Sequence, residues 1–241
     1  MRRVVAVALA LALPGPPATA QTAPGIRYRL TWSDVASVPL GAVLYVSPNR
    51  LGMPRAKPAC APCDPATLLG IDRLAVRPTS NTADVASDAA LYFVAGWTAL
   101  AGLGGLPPQQ WQGNFATFAN TAIWSAATAE WVKVLVRRSR PIMYTSAATE
   151  ASKIRSSQLS MPSGHTVIAF ATATTYLVLS GREHLSHRAR NAVVLYAGAL
   201  SVGSLRVVAG KHFPTDIIVG GLFGSAIGWL VPAIHPRTQQ P

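Results

Sequence analysis

Acidic side chains are scarce in this chain of 241 residues, which has nine Asp and Glu residues against 21 Lys and Arg. Charged residues of both signs make up only 12% of the sequence, whereas hydrophobic residues make up 50% and the mean hydropathy is +0.29. So little charge is unusual in a water-soluble globule, and it favours a membrane protein or an unusually apolar helical one. The length suits one domain with a sizeable core.

Aromatic residues are also few, at 7%, and no Lys/Arg-rich run has aromatic residues interleaved with it. That interleaving is typical of nucleic-acid-binding proteins, so its absence argues against nucleic acid as a partner despite the net charge of +12. Basic residues instead crowd between positions 133 and 155. Anionic lipids and acidic small molecules are the expected partners.

The apolar run near the N-terminus is too short to cross a membrane. Residues 4–13 are apolar, whereas a span needs about 20 residues. Arg2 and Arg3 precede the run, and Ala18-Thr19-Ala20 follows it as an A-x-A cleavage site. The pattern predicts a secretory signal peptide over residues 1–20, with a membrane anchor as the alternative.

Cysteine is limited to Cys60 and Cys63. A single C-x-x-C without a second pair or His ligands is weak evidence for zinc, and no βαβ pattern surrounds it to suggest a redox domain. In an exported protein the two residues are expected to form a local disulfide, with a free pair or a redox role as alternatives.

Prolines interrupt the sequence between residues 21 and 82, where long elements are not expected. Asp64 as N-cap and Pro65 at the first helical position predict one short helix there. We expect residues 21–82 to form an irregular, Pro-rich exported region that packs over the later helices as a lid or collar.

Alternating strand patterns are absent from residues 83–236, where five long apolar segments predict an all-α helical bundle with the active site at one end. With the N-terminus of the mature chain outside, five spans would place the charged motifs on that same side and Arg182, Arg188 and Arg190 inside, as the positive-inside rule expects. A soluble exported bundle is the alternative. The segments are 83–106, 115–136, 166–180, 191–208 and 217–234.

Charged motifs stand at the ends of these segments, and the first covers residues 133–141. On a helix, Lys133, Arg137 and Arg140 would share a face. Pro141 disfavours helical geometry at Arg140, so the helix is expected to end there and to free the guanidinium for a ligand. A basic helix end lying at a membrane surface is the alternative.

The second motif, Pro162-Ser163-Gly164-His165, directly precedes an apolar helix. Free N–H groups at a helix start, with small side chains beside them, suit the binding of an anion. His165 would stand next to that anion. A simple turn with a helix cap is the alternative.

The third motif runs from Arg206 to Asp216. Pro214 suits the first helical turn, which places Asp216 in that turn and His212 just before it. The carboxylate can then reach one imidazole nitrogen and leave the other free to attack. In the alternative, Asp216 only caps the helix and His212 is incidental.

Together the three motifs resemble the K-x6-R-P, P-S-G-H and S-R-x5-H-x3-D pattern of the type 2 phosphatidic acid phosphatase and vanadium haloperoxidase superfamily. The chain departs from that pattern at one supporting position, where Leu205 rather than Ser precedes Arg206. The resemblance extends over about residues 83–236. Arg137, Arg138 and Lys211 match no position of the pattern and are expected to supply supporting charge only.

The resemblance implies a role for each matching residue and no metal cofactor, although vanadate could occupy the phosphate site. His212 would attack phosphorus to give a phosphohistidine, and Asp216 would orient it. His165 would protonate the leaving oxygen and later activate water. The phosphoryl oxygens would be held by Lys133, Arg140, Arg206, Ser163 and the Gly164 backbone N–H.

The expected protein is a phosphatase of the inner membrane whose site faces the periplasm. Its substrate would be a lipid phosphomonoester or diphosphate, such as phosphatidic acid, phosphatidylglycerol phosphate or a polyprenyl diphosphate. The alternatives are a soluble periplasmic acid phosphatase for small phosphoesters, a vanadium haloperoxidase, for which the chain is short, and a non-catalytic binder of anionic lipid.

Overall fold

The fold is a bundle of long helices, as the apolar segments predict. A computed structural model describes residues 26–239, so the predicted signal peptide at residues 1–20 lies outside the described residues. Two short strands pair antiparallel, and four 3-10 turns lie in the connections. The helices are α1 (Trp32–Arg50), α2 (Gly70–Arg73), α3 (Asn81–Leu103), α4 (Trp111–Val136), α5 (Ala148–Ala151), α6 (Gly164–Arg182), α7 (Arg188–Val208) and α8 (Pro214–Ile234), and the strands are β1 (Ile26–Tyr28) and β2 (Arg237–Gln239).

Helices α3, α4, α6, α7 and α8 correspond to the five predicted segments, and the all-α class is confirmed. The short helix predicted near Asp64 is also present, because the Asp64 carboxylate accepts a hydrogen bond from the Ala66 N–H at 2.8 Å and caps the 3-10 turn Pro65–Thr67. Four residues of α2 follow shortly after that turn.

The prediction of an irregular region over residues 21–82 with only a short helix is wrong, because α1 is 19 residues long and contains two prolines. Pro48 has no N–H to donate to the Leu44 carbonyl one turn earlier. The indole of Trp131 on α4 donates to that carbonyl at 3.0 Å, and the Ser47 hydroxyl donates at 2.8 Å. Packing against α4 thus satisfies the backbone group that the proline leaves unpaired.

Helix α6 lies at the centre of the bundle and packs against α3, α4, α7 and α8. Its core side chains include Ala169, Ala173 and Tyr176, which are fully buried. Glycines let α8 approach closely, since a Cβ at Gly224 would lie 2.2 Å from the Val167 carbonyl oxygen. Small residues of this kind permit the close helix packing found in membrane bundles.

The bundle has two chemically different ends. One, called the site end here, gathers the starts of α3, α6 and α8 and the ends of α4 and α7. The other, the strand end, holds the β1–β2 pair, and there the Tyr28 hydroxyl accepts a hydrogen bond from Arg182 Nη1 at 2.8 Å. A helix of about 20 residues separates the ends by about 30 Å. Helix α1 is a sixth long helix, and it places Tyr28 at the end of the bundle opposite the site end. The prediction from five spans instead places the N-terminus of the mature chain on the same side as the charged motifs.

Three helices of the described chain, α3, α7 and α8, are long and apolar enough to cross a membrane by length and composition. Their outer faces expose large apolar side chains: Leu100 is 71% exposed on α3, Val193 is 70% exposed on α7 and Leu222 is 70% exposed on α8. Exposed apolar side chains on these helices suit contact with lipid or with another apolar partner.

Candidate active site

Backbone hydrogen bonds hold the loops of the three motifs against each other at the site end. The Arg140 N–H donates to the Ser157 carbonyl at 2.7 Å, and the Ser160 N–H donates to the Arg138 carbonyl at 3.0 Å. The Ser163 N–H donates to the Asp216 carbonyl at 3.2 Å, which joins the start of α6 to the first turn of α8. The three motifs, which are far apart in the sequence, are therefore neighbours in space.

His212 lies in the loop before α8 with only 1% of its surface exposed. Its Nδ1 is 2.7 Å from the Ser160 carbonyl oxygen. A carbonyl only accepts, so Nδ1 carries the proton and Nε2 keeps its lone pair. Burial lowers the pKa of His212 to about 3, and the neighbouring Arg140 and Lys133 charges act in the same direction. The ring is thus neutral at physiological pH and has the form that a nucleophile requires.

Asp216 supports this arrangement in a way that differs from the expected direct hydrogen bond. Its Oδ2 lies 3.6 Å from His212 Nδ1, so the bond to that nitrogen belongs to the Ser160 carbonyl. The same Oδ2 accepts hydrogen bonds from the Ser160 hydroxyl at 2.6 Å and from the Phe213 N–H at 2.8 Å. Asp216 therefore caps α8 and also fixes the residue whose carbonyl orients the histidine.

Three cationic side chains lie at the site end: Lys133 and Arg140 near His212, and Arg206 near Arg140 and His165. Lys133 projects from α4 and pairs with Glu130, and a Cβ on Gly164 would lie 3.0 Å from its Nζ. Its ammonium thus stands directly at the start of α6.

Arg140 follows α4 in an extended conformation and donates from Nε to the Ser156 carbonyl at 2.8 Å. Burial lowers the pKa of its guanidinium to about 10, and repulsion from the Arg206 guanidinium acts in the same direction. Arg206 is 6% exposed, and its Nε has no hydrogen-bond partner within residues 26–239. A bound anion would relieve the repulsion and accept from this nitrogen.

His165 stands in the first turn of α6 and is less buried than His212. Its Nε2 lies 2.7 Å from Asp88 Oδ1, and the side chain is 32% exposed. Ser163 is the N-cap residue of the same helix, and its Oγ accepts a hydrogen bond from the Thr166 hydroxyl at 3.0 Å. The start of α6 therefore presents free N–H groups and an imidazole on the same side as the cations.

The structure brings together all eight predicted residues of the phosphate site, but the first motif is not continuous helix. Helix α4 ends at Val136, and Arg137 is left-handed with φ of 51°. Arg137 therefore does not share a helical face with Lys133 and Arg140, and its Nη2 instead lies 3.2 Å from Gln158 Oε1. Arg140 reaches the site from the loop.

Sequence reasoning missed two carboxylates on α3, before the first motif, and the full role of Arg138 within it. Asp84 and Asp88 lie one turn apart on α3, and Asp84 pairs with Arg206 and with Lys211, the latter at 2.9 Å. The four-residue spacing of Asp84 and Asp88 at the start of an apolar helix is the sequence signal that indicates two carboxylates on one face. Arg138 does more than supply supporting charge, since its Nη1 donates to Asp216 Oδ1 at 2.5 Å.

Cys60 and Cys63 are joined by a disulfide at the site end. The Cys63 N–H donates to the Met143 carbonyl at 2.8 Å, so the disulfide loop packs on the 3-10 turn that follows Arg140. Within residues 26–239, no group of three or more His, Cys, Asp or Glu side chains is placed to hold a metal ion.

Comparisons with known proteins identify the family of this chain. The sequence profile of the PAP2 superfamily matches residues 114–240. Decaprenylphosphoryl-5-phosphoribose phosphatase of Mycobacterium tuberculosis, from strains CDC 1551 / Oshkosh and ATCC 25618 / H37Rv, is 30% identical over 145 residues, which span 60% of this chain and 75% of the relative. The transmembrane PAP2 type phosphatidylglycerolphosphate phosphatase from Bacillus subtilis is 20% identical, with a TM-score of 0.46 over 84% of this chain and 96% of that one.

The matched residues include every predicted phosphate-site residue, from Lys133 to Asp216. The profile covers more than half of the 241 residues, and the Mycobacterium relative is matched over three quarters of its length. The resemblance seen in the motifs is therefore confirmed, and this chain belongs to the PAP2 superfamily.

Proposed function

We propose that this protein is a membrane-embedded phosphatase that removes the phosphate of a phosphorylated lipid through a phosphohistidine on His212. One observation carries the proposal: a buried, neutral imidazole with a free Nε2 lies among three cations at one end of an apolar bundle. The polyprenyl-linked phosphosugar named for the Mycobacterium relatives makes that substrate class the first to test.

In the first step, His212 Nε2 attacks phosphorus, a P–N bond forms and the P–O bond to the lipid breaks. His165 gives a proton to the departing oxygen. The Ser160 carbonyl holds the Nδ1 proton and stabilises the positive charge that the ring gains. Charge on the phosphoryl oxygens is stabilised by the cations and by the N–H groups at the start of α6.

In the second step, His165 takes a proton from water, which attacks phosphorus and breaks the P–N bond. Inorganic phosphate leaves, and His212 returns to its neutral form. Nucleophile, acid and charge stabilisation are all supplied by side chains and backbone groups of this chain, so the proposed reaction needs no metal.

The proposed orientation places the site end in the periplasm and the apolar faces of α3, α7 and α8 in the bilayer. The disulfide at the site end supports it, because disulfides persist in oxidising compartments. Lys and Arg occur at both ends, so the positive-inside rule alone does not orient the bundle. Tyr28 then lies on the cytoplasmic side. This orientation is incompatible with a signal peptide cleaved after Ala20, because cleavage would leave Gln21 in the periplasm.

A phosphate-release panel on the detergent-purified protein tests the function. It compares a polyprenyl-linked phosphosugar, phosphatidic acid, a polyprenyl diphosphate and p-nitrophenyl phosphate. His212→Ala and His165→Ala are each expected to lower kcat by about 10³-fold or more, because each removes a group acting in the reaction. His184→Asn, an exposed histidine in the loop after α6, is the matched control and should leave the rate unchanged.

Rapid quenching with ³²P-labelled substrate should trap an acid-labile adduct in the wild type and none in His212→Ala. Binding of anionic lipid without phosphate release from any substrate would contradict the proposal and favour a lipid-binding protein. Turnover of p-nitrophenyl phosphate alone, by a protein released without detergent, would favour a soluble acid phosphatase instead.

A further inference from the structure

Asp72 is a fully buried carboxylate that lies outside the segment matched by the superfamily profile. It belongs to the short helix α2, yet its oxygens are bonded to the start of α8 and to the first motif. Oδ1 accepts from the Thr215 N–H at 3.0 Å, and Oδ2 accepts from the Thr215 hydroxyl at 2.8 Å. Oδ2 also pairs with Arg138 Nη2 at 2.6 Å.

Arg138 extends this contact to the centre of the site. While Nη2 pairs with Asp72, its Nη1 donates to Asp216 Oδ1 at 2.5 Å and to the Thr215 hydroxyl oxygen at 2.6 Å. The guanidinium lies over the Phe213 ring at 4.4 Å from the ring centre. Two carboxylates and an aromatic face thus define one position of the guanidinium plane.

Asp216 passes the constraint to His212. Its second oxygen accepts from the Ser160 hydroxyl at 2.6 Å, and the Ser160 carbonyl in turn accepts from His212 Nδ1 at 2.7 Å. The chain of contacts therefore runs from Asp72 through Arg138, Asp216 and Ser160 to the imidazole. Every charged or polar group in it is buried except the outer part of Arg138, which is 20% exposed.

We propose that Asp72 is a positioning residue for the reaction at His212, acting through Arg138 and Asp216. Without its charge, Arg138 keeps a single carboxylate partner, and the guanidinium moves toward Asp216 and away from α2. Asp216 then loses the geometry that holds Ser160 and the ring. This inference rests on the proposed function, since it concerns the rate of phosphoryl transfer to His212.

The competing explanation is that Asp72 only anchors α2 to the start of α8. Both explanations predict some loss of stability on substitution, but only positioning predicts a loss of kcat in protein that is still folded. Only positioning also predicts that Asp72 has no effect once Arg138 is gone.

The test uses the full chain in detergent and the substrate that the wild type turns over fastest. Asp72→Asn is expected to lower kcat by about 10-fold to 100-fold, the scale found for buried groups that orient reactive ligands, with KM changed by less than about 3-fold. Asp64→Asn is the matched control, because Asp64 is in the same region but caps only its own exposed turn. It should keep wild-type kcat.

A double-mutant cycle with Arg138→Gln supplies the decisive comparison. If Asp72 acts through Arg138, the double variant has the kcat of Arg138→Gln within about 2-fold. The proposal would be overturned in favour of simple anchoring by either of two results. One is a double variant whose loss of kcat is the product of the two single losses, and the other is a folded Asp72→Asn with wild-type kcat.

Thr215→Val decides the question if Asp72→Asn does not fold, because it removes one hydroxyl shared by Asp72 and Arg138 and leaves both charges. A kcat lower by about 3-fold to 10-fold with unchanged KM supports positioning, and an unchanged kcat overturns it. An inactive wild type would count against the proposed function itself, which keeps the two failures distinct.

Discussion

Lowering the pH from 7 to 5 is expected to destabilise the folded protein through His212. Burial lowers the pKa of this ring to about 3, against 6.5 for an ordinary histidine. Between those two values the unfolded chain binds a proton that the folded chain does not. The stabilisation is therefore fully present above pH 6.5 and is lost as the pH falls toward 3.

The size of the effect follows from the two pKa values. Proton binding by the unfolded chain lowers the free energy of unfolding by about 2 kcal/mol between pH 7 and pH 5. For a chain of this length, 2 kcal/mol corresponds to a fall of about 4–8 °C in melting temperature. His212→Asn removes the titrating ring. Between pH 7 and pH 5 its melting temperature should therefore fall by about 4–8 °C less than that of the wild type.

The assay is thermal unfolding of the detergent-solubilised protein, followed by the fluorescence of its six tryptophans. The wild type, His212→Asn and the control His184→Asn are compared at pH 7 and pH 5. Groups that titrate in all three proteins cancel when the falls in melting temperature are subtracted. Equal falls in the wild type and His212→Asn would refute the assignment of a buried neutral ring to His212.

Two further predictions concern carboxylates outside the matched motifs. Asp88→Asn removes the anion that stabilises protonated His165, so kcat should fall by about 10-fold with little change in KM, as measured by steady-state phosphate release across a pH series. Burial raises the pKa of Glu183 to about 7 from 4.5. The buried carboxylate must therefore ionise as the pH rises above 7, which lowers the free energy of unfolding by up to about 3 kcal/mol. Glu183→Gln should therefore raise the melting temperature at pH 8 but not at pH 4, with unchanged phosphatase activity, and equal melting curves at pH 8 would contradict this reasoning.

Local signals in the sequence predicted that the residues of the three motifs lie at helix ends, where the structure has them. Pro214 predicts the start of α8, which begins at that residue, and the apolar segment predicted over 115–136 ends where α4 ends. The end that Pro141 predicts at Arg140 is wrong, because the helix already stops at Val136. Such signals involve neighbouring residues whose backbone geometry is restricted wherever they occur. The convergence of the motifs on one end then follows from antiparallel helices of similar length.

The partners of those groups could not be read in the same way. The hydrogen-bond acceptor for His212 Nδ1 is a backbone carbonyl, that of Ser160, and every residue has such a group. Asp72 and Asp88 are common surface residue types, and they contact motif residues that are between 66 and 143 positions away. Nothing near Asp72 in the sequence marks it as buried.

By itself the sequence determined the helix class and the long helices after residue 80, because caps, prolines and apolar periodicity act over a few residues. Its motifs also predicted the two histidines and three cations that the structure brings to the site end. Only the tertiary structure decided that α1 is a full helix, that Ser160 fixes the tautomer of His212 and that Arg138 joins Asp72 to Asp216. Each of these depends on a group finding a partner far along the chain, and burial makes that partner necessary.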